Sequence, residues 1–97
     1  MRVISPKRLR TFWTVHPDAQ APLVRWRKVV DQAKWESFDD VKAVFGKRAD
    51  QYKQLVIFDI GGNKYRLIAA VHYNTGRVYI RHVLTHAEYD RGKWKKN

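Results

Sequence analysis

The chain has 97 residues, enough for one domain with a modest core and too few for two. An apolar share of 44% is ordinary for a folded protein, the absence of cysteine excludes disulfide staples and thiol chemistry, and no apolar run is long enough to span a membrane or to act as a signal peptide. Twenty Lys and Arg stand against nine Asp and Glu, a formal charge of +11 that favours a polyanionic partner, RNA or DNA before an anionic membrane.

Met1–Ile4 is β-prone and reads as an edge strand. Ser5-Pro6 then gives a helix start, with Ser as N-cap and Pro at the first helical position. Leu9, Phe12, Trp13 and His16 recur at helical spacing, while Lys7, Arg8 and Arg10 fall toward solvent. His16-Pro17-Asp18 ends this helix, and Asp18 is placed to cap the next. That second helix is predicted over Ala19–Ala33, with Trp26, Val29, Val30 and Ala33 inward and Arg25, Arg27, Lys28 and Lys34 on a basic outer surface. A short third helix follows Ser37, carries Phe38, Val41, Val44 and Phe45, and stops at Gly46. Lys47–Gln54 is polar without a period and reads as a loop.

Three strands come next. Leu55–Ile60, Lys64–Tyr73 and Arg77–Leu84 are rich in β-branched and aromatic residues. Gly61-Gly62-Asn63 and Asn74-Thr75-Gly76 separate them with turn chemistry, so the pattern is an antiparallel meander. Arg91–Asn97 reads as a basic tail, mobile unless Trp94 anchors it. Helices first and antiparallel strands later give an α+β architecture, helices packed on one face of a small sheet.

Strand alternation sorts the side chains. Tyr65, Leu67, Ala69 and Val71, with Val78, Ile80, His82 and Leu84, make the buried set; Lys64, Arg66, Tyr79 and Arg81 are left on the exposed face. A cationic floor holding an aromatic suits phosphate contacts and a stacked base. The same residues also fit a merely solvated sheet face. His86, Tyr89 and Asp90 follow the last strand, and in a helical turn His86 and Tyr89 share a side. RNA is cut when its 2′-OH attacks the adjacent phosphate, one group taking that proton, another protonating the 5′-oxygen, and cations stabilising the added charge. His suits either proton role near neutral pH, and Tyr does so if a neighbouring Arg lowers its pKa. For His86 alone, a structural hydrogen bond fits as well as catalysis. The four His are scattered, with no close carboxylate cluster, so neither a metal centre nor a cofactor is expected, and no phosphate loop follows Gly61-Gly62.

These residues carry a resemblance. FDIGGNKYRLIAAV (Phe58–Val71) and VYIRHVLTHAEYD (Val78–Asp90), with the looser leading pattern Ile4, Ser5, Leu9, Phe12 and Pro17, resemble the HigB-family toxins of bacterial type II toxin–antitoxin systems along nearly the whole chain. The resemblance implies a RelE-like fold and a metal-independent endoribonuclease acting in the cytoplasm on mRNA, commonly on translating ribosomes. It implies a HigA-type helix-turn-helix antitoxin and contact with operator DNA only through that partner. By motif position, Asn63, Arg66, Arg81, His86, Tyr89 and Asp90 carry over. In this reading Arg66 and Arg81 hold the scissile phosphate, His86 and Tyr89 exchange protons, and Asp90 orients one of them. Lys64, Asn63, Tyr79 and Arg77 contact RNA, with Asn63 chiefly a turn-former. Two other readings stay open: a toxin of the same fold acting on a protein such as gyrase, as the related ParE proteins do, and a non-catalytic RNA- or DNA-binding module.

Overall fold

The computed structural model describes residues 1–96. Five strands form one sheet in the order β1-β5-β4-β3-β2: β1 (Arg2–Ile4), β2 (Ala49–Tyr52), β3 (Leu55–Ile60), β4 (Tyr65–His72) and β5 (Arg77–Thr85). β1 runs parallel to β5, and every other pair is antiparallel. The architecture is α+β, an open, mostly antiparallel sheet with helices. β4 lies at its centre and is buried along nearly its whole length, so its run of apolar residues is covered on both faces. The β3–β4 turn needs Gly61 and Gly62 for their backbone, with φ of +62° and +73°. At Gly62 nothing lies near the position a Cβ would take, so conformation and not space selects glycine there.

α1 (Lys7–Val15), α2 (Gln20–Gln32) and α3 (Phe38–Phe45) cover one face of the sheet. Leu9, Leu23, Trp26, Val30 and Val41 pack there with Phe58, Leu67 and Val78, and Trp26 and Phe45 both meet the Phe58 ring edge-on. Truncating Phe58 to Ala removes the centre of that cluster, a change of about 3–5 kcal/mol in a well-packed core. A smaller cluster sits on the other face: Ile57, Ile68 and Trp94, with Tyr52, Leu55, Leu84 and Tyr89 against them. The tail is therefore anchored. Trp94 is buried in a 3₁₀ turn (Lys93–Lys96), and its indole N–H donates to the Tyr89 carbonyl at 3.0 Å.

Several sequence expectations are corrected. Ser5 does not cap α1: its φ is +66°, Pro6 occupies the N-cap, and no side chain accepts there. Asp18 does not cap α2 either, because its carboxylate takes bonds from Lys64 and Tyr65 instead. Within α2, Val29 is 40% exposed and Leu23 holds the inward position. Lys47–Gln54 contains β2, an edge strand whose Asp50 and Gln51 face solvent. β4 and β5 shift register between Ile68 and Ala69, where Ile68 pairs with His82 and Ala69 with Ile80, so Arg81 is the extra residue of a β-bulge. Alternation breaks there: Val78, Ile80 and Val83 pack with the helix-side cluster, while Leu84 joins Trp94 on the opposite face.

Candidate active site

The segment after β5 is fixed by a reciprocal cap. Thr85 Oγ1 accepts from the Glu88 backbone N–H at 3.2 Å, and Glu88 Oε1 accepts from the Thr85 N–H at 2.9 Å, holding the five-residue helix α4 (His86–Asp90). The His86 backbone N–H also donates to the Lys64 carbonyl at 3.0 Å, tying α4 to the start of β4. Along the helix, i to i+4 spacing brings His86 Nδ1 to 2.8 Å from Asp90 Oδ2. At that distance Asp90 is placed to orient the imidazole through Nδ1, which leaves Nε2 for a substrate proton. The imidazole is 42% exposed, open to a ligand.

Arg66 is the centre of a closed cluster. It was expected on the exposed face; it is 7% exposed, and its donors are engaged. Nε pairs with Asp59 Oδ1 at 3.1 Å across the β3–β4 ladder, Nη2 donates to Asn63 Oδ1 at 2.5 Å, and Nη1 donates to the Tyr65 and Asn63 carbonyls at 3.1 and 3.3 Å. Asn63 thus does more than turn the chain. The guanidinium also lies 5.2 Å from the centre of the Tyr89 ring. A charge this buried needs its partners, and the pairs found here supply them.

Tyr89 is stacked between that guanidinium and the Trp94 indole, whose ring is nearly parallel at 5.3 Å. Its hydroxyl pKa is raised. Burial is the main cause; Arg66 opposes it, and Asp50, Asp59 and Asp90 add to it. The sequence expectation that an Arg lowers this pKa is corrected: the lowering exists and is outweighed. Tyr89 stays a phenol near neutral pH, fit to donate a proton and unfit to take one.

Arg81 lies elsewhere, exposed on the bulge. It lines a cleft of about 940 Å³ on the sheet face away from the helices. Leu55 and Ala70 form part of the lining, with Tyr52, Trp94 and Lys95 on one side and His72, Tyr73 and His82 also facing the space. Tyr79 meets the His72 ring edge-on at 4.8 Å. Lys64 is held by Asp18 at 3.1 Å, and Arg77 is exposed at the start of β5, opposite His72. The structure therefore brings Asn63, Arg66 and Tyr89 together and pairs His86 with Asp90, while Arg81 belongs to the cleft and its bulge. His82 was expected in the buried set, and Trp94, Asp59 and Asp18 were not singled out as site residues; only long-range pairing gives them a place here.

The family model described as HigB toxin, RelE-like toxic component of a toxin–antitoxin system, matches residues 19–92. The chain belongs to the HigB toxin family. It is 32% identical over 93 residues to the mRNA interferase toxin HigB of Escherichia coli (strain K12), covering 93% of this chain and 88% of that protein, and equally similar to the mRNA interferase HigB of Shigella flexneri. The mRNA interferase HigB of Escherichia coli O6:H1 is 24% identical over 94 residues, covering 94% and 90%. In this HigB-family chain the matched span takes in α2 through α4, including Arg66, Arg81 and the His86–Asp90 pair, and leaves α1 and Trp94 outside it. No helix of the described residues is long and apolar enough to cross a membrane.

Proposed function

We propose that this chain is the toxin of a type II toxin–antitoxin system and an endoribonuclease that cleaves mRNA, slowing translation and growth. The observation that carries the chemistry is the His86–Asp90 contact of 2.8 Å beside a phenol, Tyr89, that burial keeps protonated. In the proposed step His86 Nε2 takes the 2′-OH proton, the 2′-oxygen bonds to phosphorus, the bond from phosphorus to the 5′-oxygen breaks, and the Tyr89 O–H protonates that leaving oxygen. An alkoxide is far more basic than a phenolate, so a raised phenol pKa still leaves the transfer downhill. Arg81, exposed and on the cleft, stabilises the phosphorane charge. Arg66 holds Tyr89 and Asn63 in place, and Lys64, Arg77 and Tyr79 steer and seat the chain. Two products follow, a 2′,3′-cyclic phosphate and a 5′-hydroxyl.

The substrate is mRNA on translating ribosomes, in the cytoplasm. A HigA-type helix-turn-helix antitoxin holds the toxin inactive and brings it to operator DNA. The charge of +11 supports both the polyanionic substrate and a partner with acidic segments. Purified protein added to translating ribosomes and to free mRNA, with products read by primer extension, tests the reading. Cleaved RNA whose 5′ ends accept phosphate from a polynucleotide kinase without prior dephosphorylation is the expected result; intact RNA in both arms overturns it.

A further inference from the structure

Arg8 and His82 flank Arg81 and take no part in the proton transfers at His86 and Tyr89. β1 ends opposite Tyr79, so the backbone edge of β5 beyond that point has no strand beside it. Arg8, in the first turn of α1, reaches across and donates from Nη1 to the Arg81 carbonyl at 2.9 Å, fastening the bulge at its exposed edge. The bulge has a second consequence. In a regular strand Arg81 and His82 face opposite sides of the sheet; here both line the cleft. Among the described residues no acidic side chain pairs with Arg8 or Arg81, although ion pairs hold Arg27, Lys64 and Arg66 elsewhere. Two guanidiniums and an imidazole are thus gathered at one spot, with no counter-charge.

We propose that Arg8 and His82, gathered beside Arg81 at the β5 bulge, form a phosphate-binding site that seats the backbone phosphate of single-stranded RNA next to the scissile phosphate held by Arg81. This rests on the reading of the chain as a ribonuclease and adds α1 to its substrate-binding surface. The electrostatics agree. Burial first, then Arg8, then Arg81 depress the His82 pKa, so both guanidiniums lie near enough to act on the imidazole. Arg8 keeps four of its five N–H donors beyond the bond to Arg81, and a guanidinium fork matches two phosphate oxygens. The adjoining cleft, about 940 Å³, lies within the size range of small-ligand sites, and Tyr52 and Lys95 also line it.

The test measures binding of a short 2′-O-methyl RNA, which lacks the attacking hydroxyl, to the intact protein across a salt series. Arg8→Gln removes the charge but keeps an amide donor for the Arg81 carbonyl, and Arg8→Lys keeps the charge. Arg10→Gln, on the exposed side of the same helix, controls for net charge. Arg8→Gln is expected to weaken binding about tenfold and to lower the slope of log K against log salt by about 0.7, one single-strand phosphate contact. Arg8→Lys should recover most of that loss, His82→Gln should weaken binding several-fold, and Arg10→Gln should change it less than about twofold, within the range of a distant surface charge. The proposal falls if the Arg8→Gln slope matches wild type, if Arg10→Gln costs as much, or if Arg8→Lys binds as poorly as Arg8→Gln with a lowered thermal midpoint, which makes Arg8 a structural bolt. It falls too if the wild type does not bind the oligonucleotide, or if the variants lose affinity for poly-glutamate and not for RNA. Cleavage of ordinary RNA by the wild type, run in parallel, separates the two readings: no cleavage with an intact Arg8 effect removes the nuclease and leaves the phosphate site.

Discussion

Arg66 and Arg81 stand on neighbouring strands and are built in opposite ways. Arg66 is buried, paired with Asp59, bonded to Asn63 and two carbonyls, and covered by Tyr89. Arg81 is exposed; its carbonyl accepts from Arg8, and among the described residues its guanidinium has no partner. A cation whose donors are satisfied inside the fold supports structure, while one whose donors are open beside a cleft is available to a ligand. Sequence alternation alone put both on one exposed face. The comparison divides them by the partners each has.

The largest expected effect is the split between the two. Arg66→Ala leaves Asp59 partly buried and unpaired and removes the cover over Tyr89. Breaking a buried pair costs about 3–5 kcal/mol, and the partial exposure of Asp59 argues for the lower end. A loss near 3 kcal/mol lowers the thermal midpoint of a domain this size by about 12–24 °C. Arg81→Ala is expected to stay within about 0.5 kcal/mol of wild type, as exposed substitutions do, while growth inhibition disappears. Equal midpoints for the two variants, measured by thermal melts, would abolish the distinction.

The same logic orders the proton-transfer groups. His86→Ala is expected to lower cleavage by about a hundredfold to ten-thousandfold with RNA affinity nearly unchanged, since a transition-state proton transfer acts on turnover. Asp90→Asn keeps the i to i+4 contact but loses the negative charge, so a smaller loss of turnover follows. Tyr89→Phe removes only the hydroxyl and keeps the ring between Arg66 and Trp94, with an expected loss of at least about tenfold in turnover and an unchanged midpoint. Full turnover in Tyr89→Phe assigns the second proton to another group, with His82 and His72 on the cleft the next to test.

What the sequence disclosed follows from what is local. The meander was legible because Gly61-Gly62-Asn63 and Asn74-Thr75-Gly76 mark their turns through backbone conformation, and the helices because Leu9, Phe12 and Trp13 or Trp26 and Val30 repeat at helical spacing. β2 was not legible: an edge strand pairs on one side only, and Asp50 and Gln51 need no apolar character when they face water. The bulge carries no glycine and no sequence mark, yet it moves His82 onto the cleft beside Arg81 and Val83 to the helix side. The candidate site was legible as a set of residues, not as an arrangement, because the Arg66–Asp59 and Asp18–Tyr65 contacts depend on register and on helix placement. Composition cannot state either one.

Asp18 gives the smallest effect and the most direct view of that long-range wiring. Its carboxylate accepts from the Tyr65 hydroxyl and from Lys64 Nζ, linking the 3₁₀ turn after α1 to the first residues of β4, where the Lys64 carbonyl holds the His86 N–H. The Tyr65 bond, then the Lys64 bond, depress the Asp18 pKa below its ordinary value, with burial opposing them. A carboxylate with a depressed folded pKa contributes stability above its unfolded pKa, near 3.9, and loses it as pH falls through the folded value. Wild type should therefore lose more stability than Asp18→Asn between about pH 5 and about pH 3, and the two differ least at the acid end. The group is exposed, so the difference is small, a shift in the slope of midpoint against pH rather than a collapse. Parallel slopes for the two proteins would mean that Lys64 and Tyr65 hold their places without Asp18, and that His86 is positioned by the α4 cap alone.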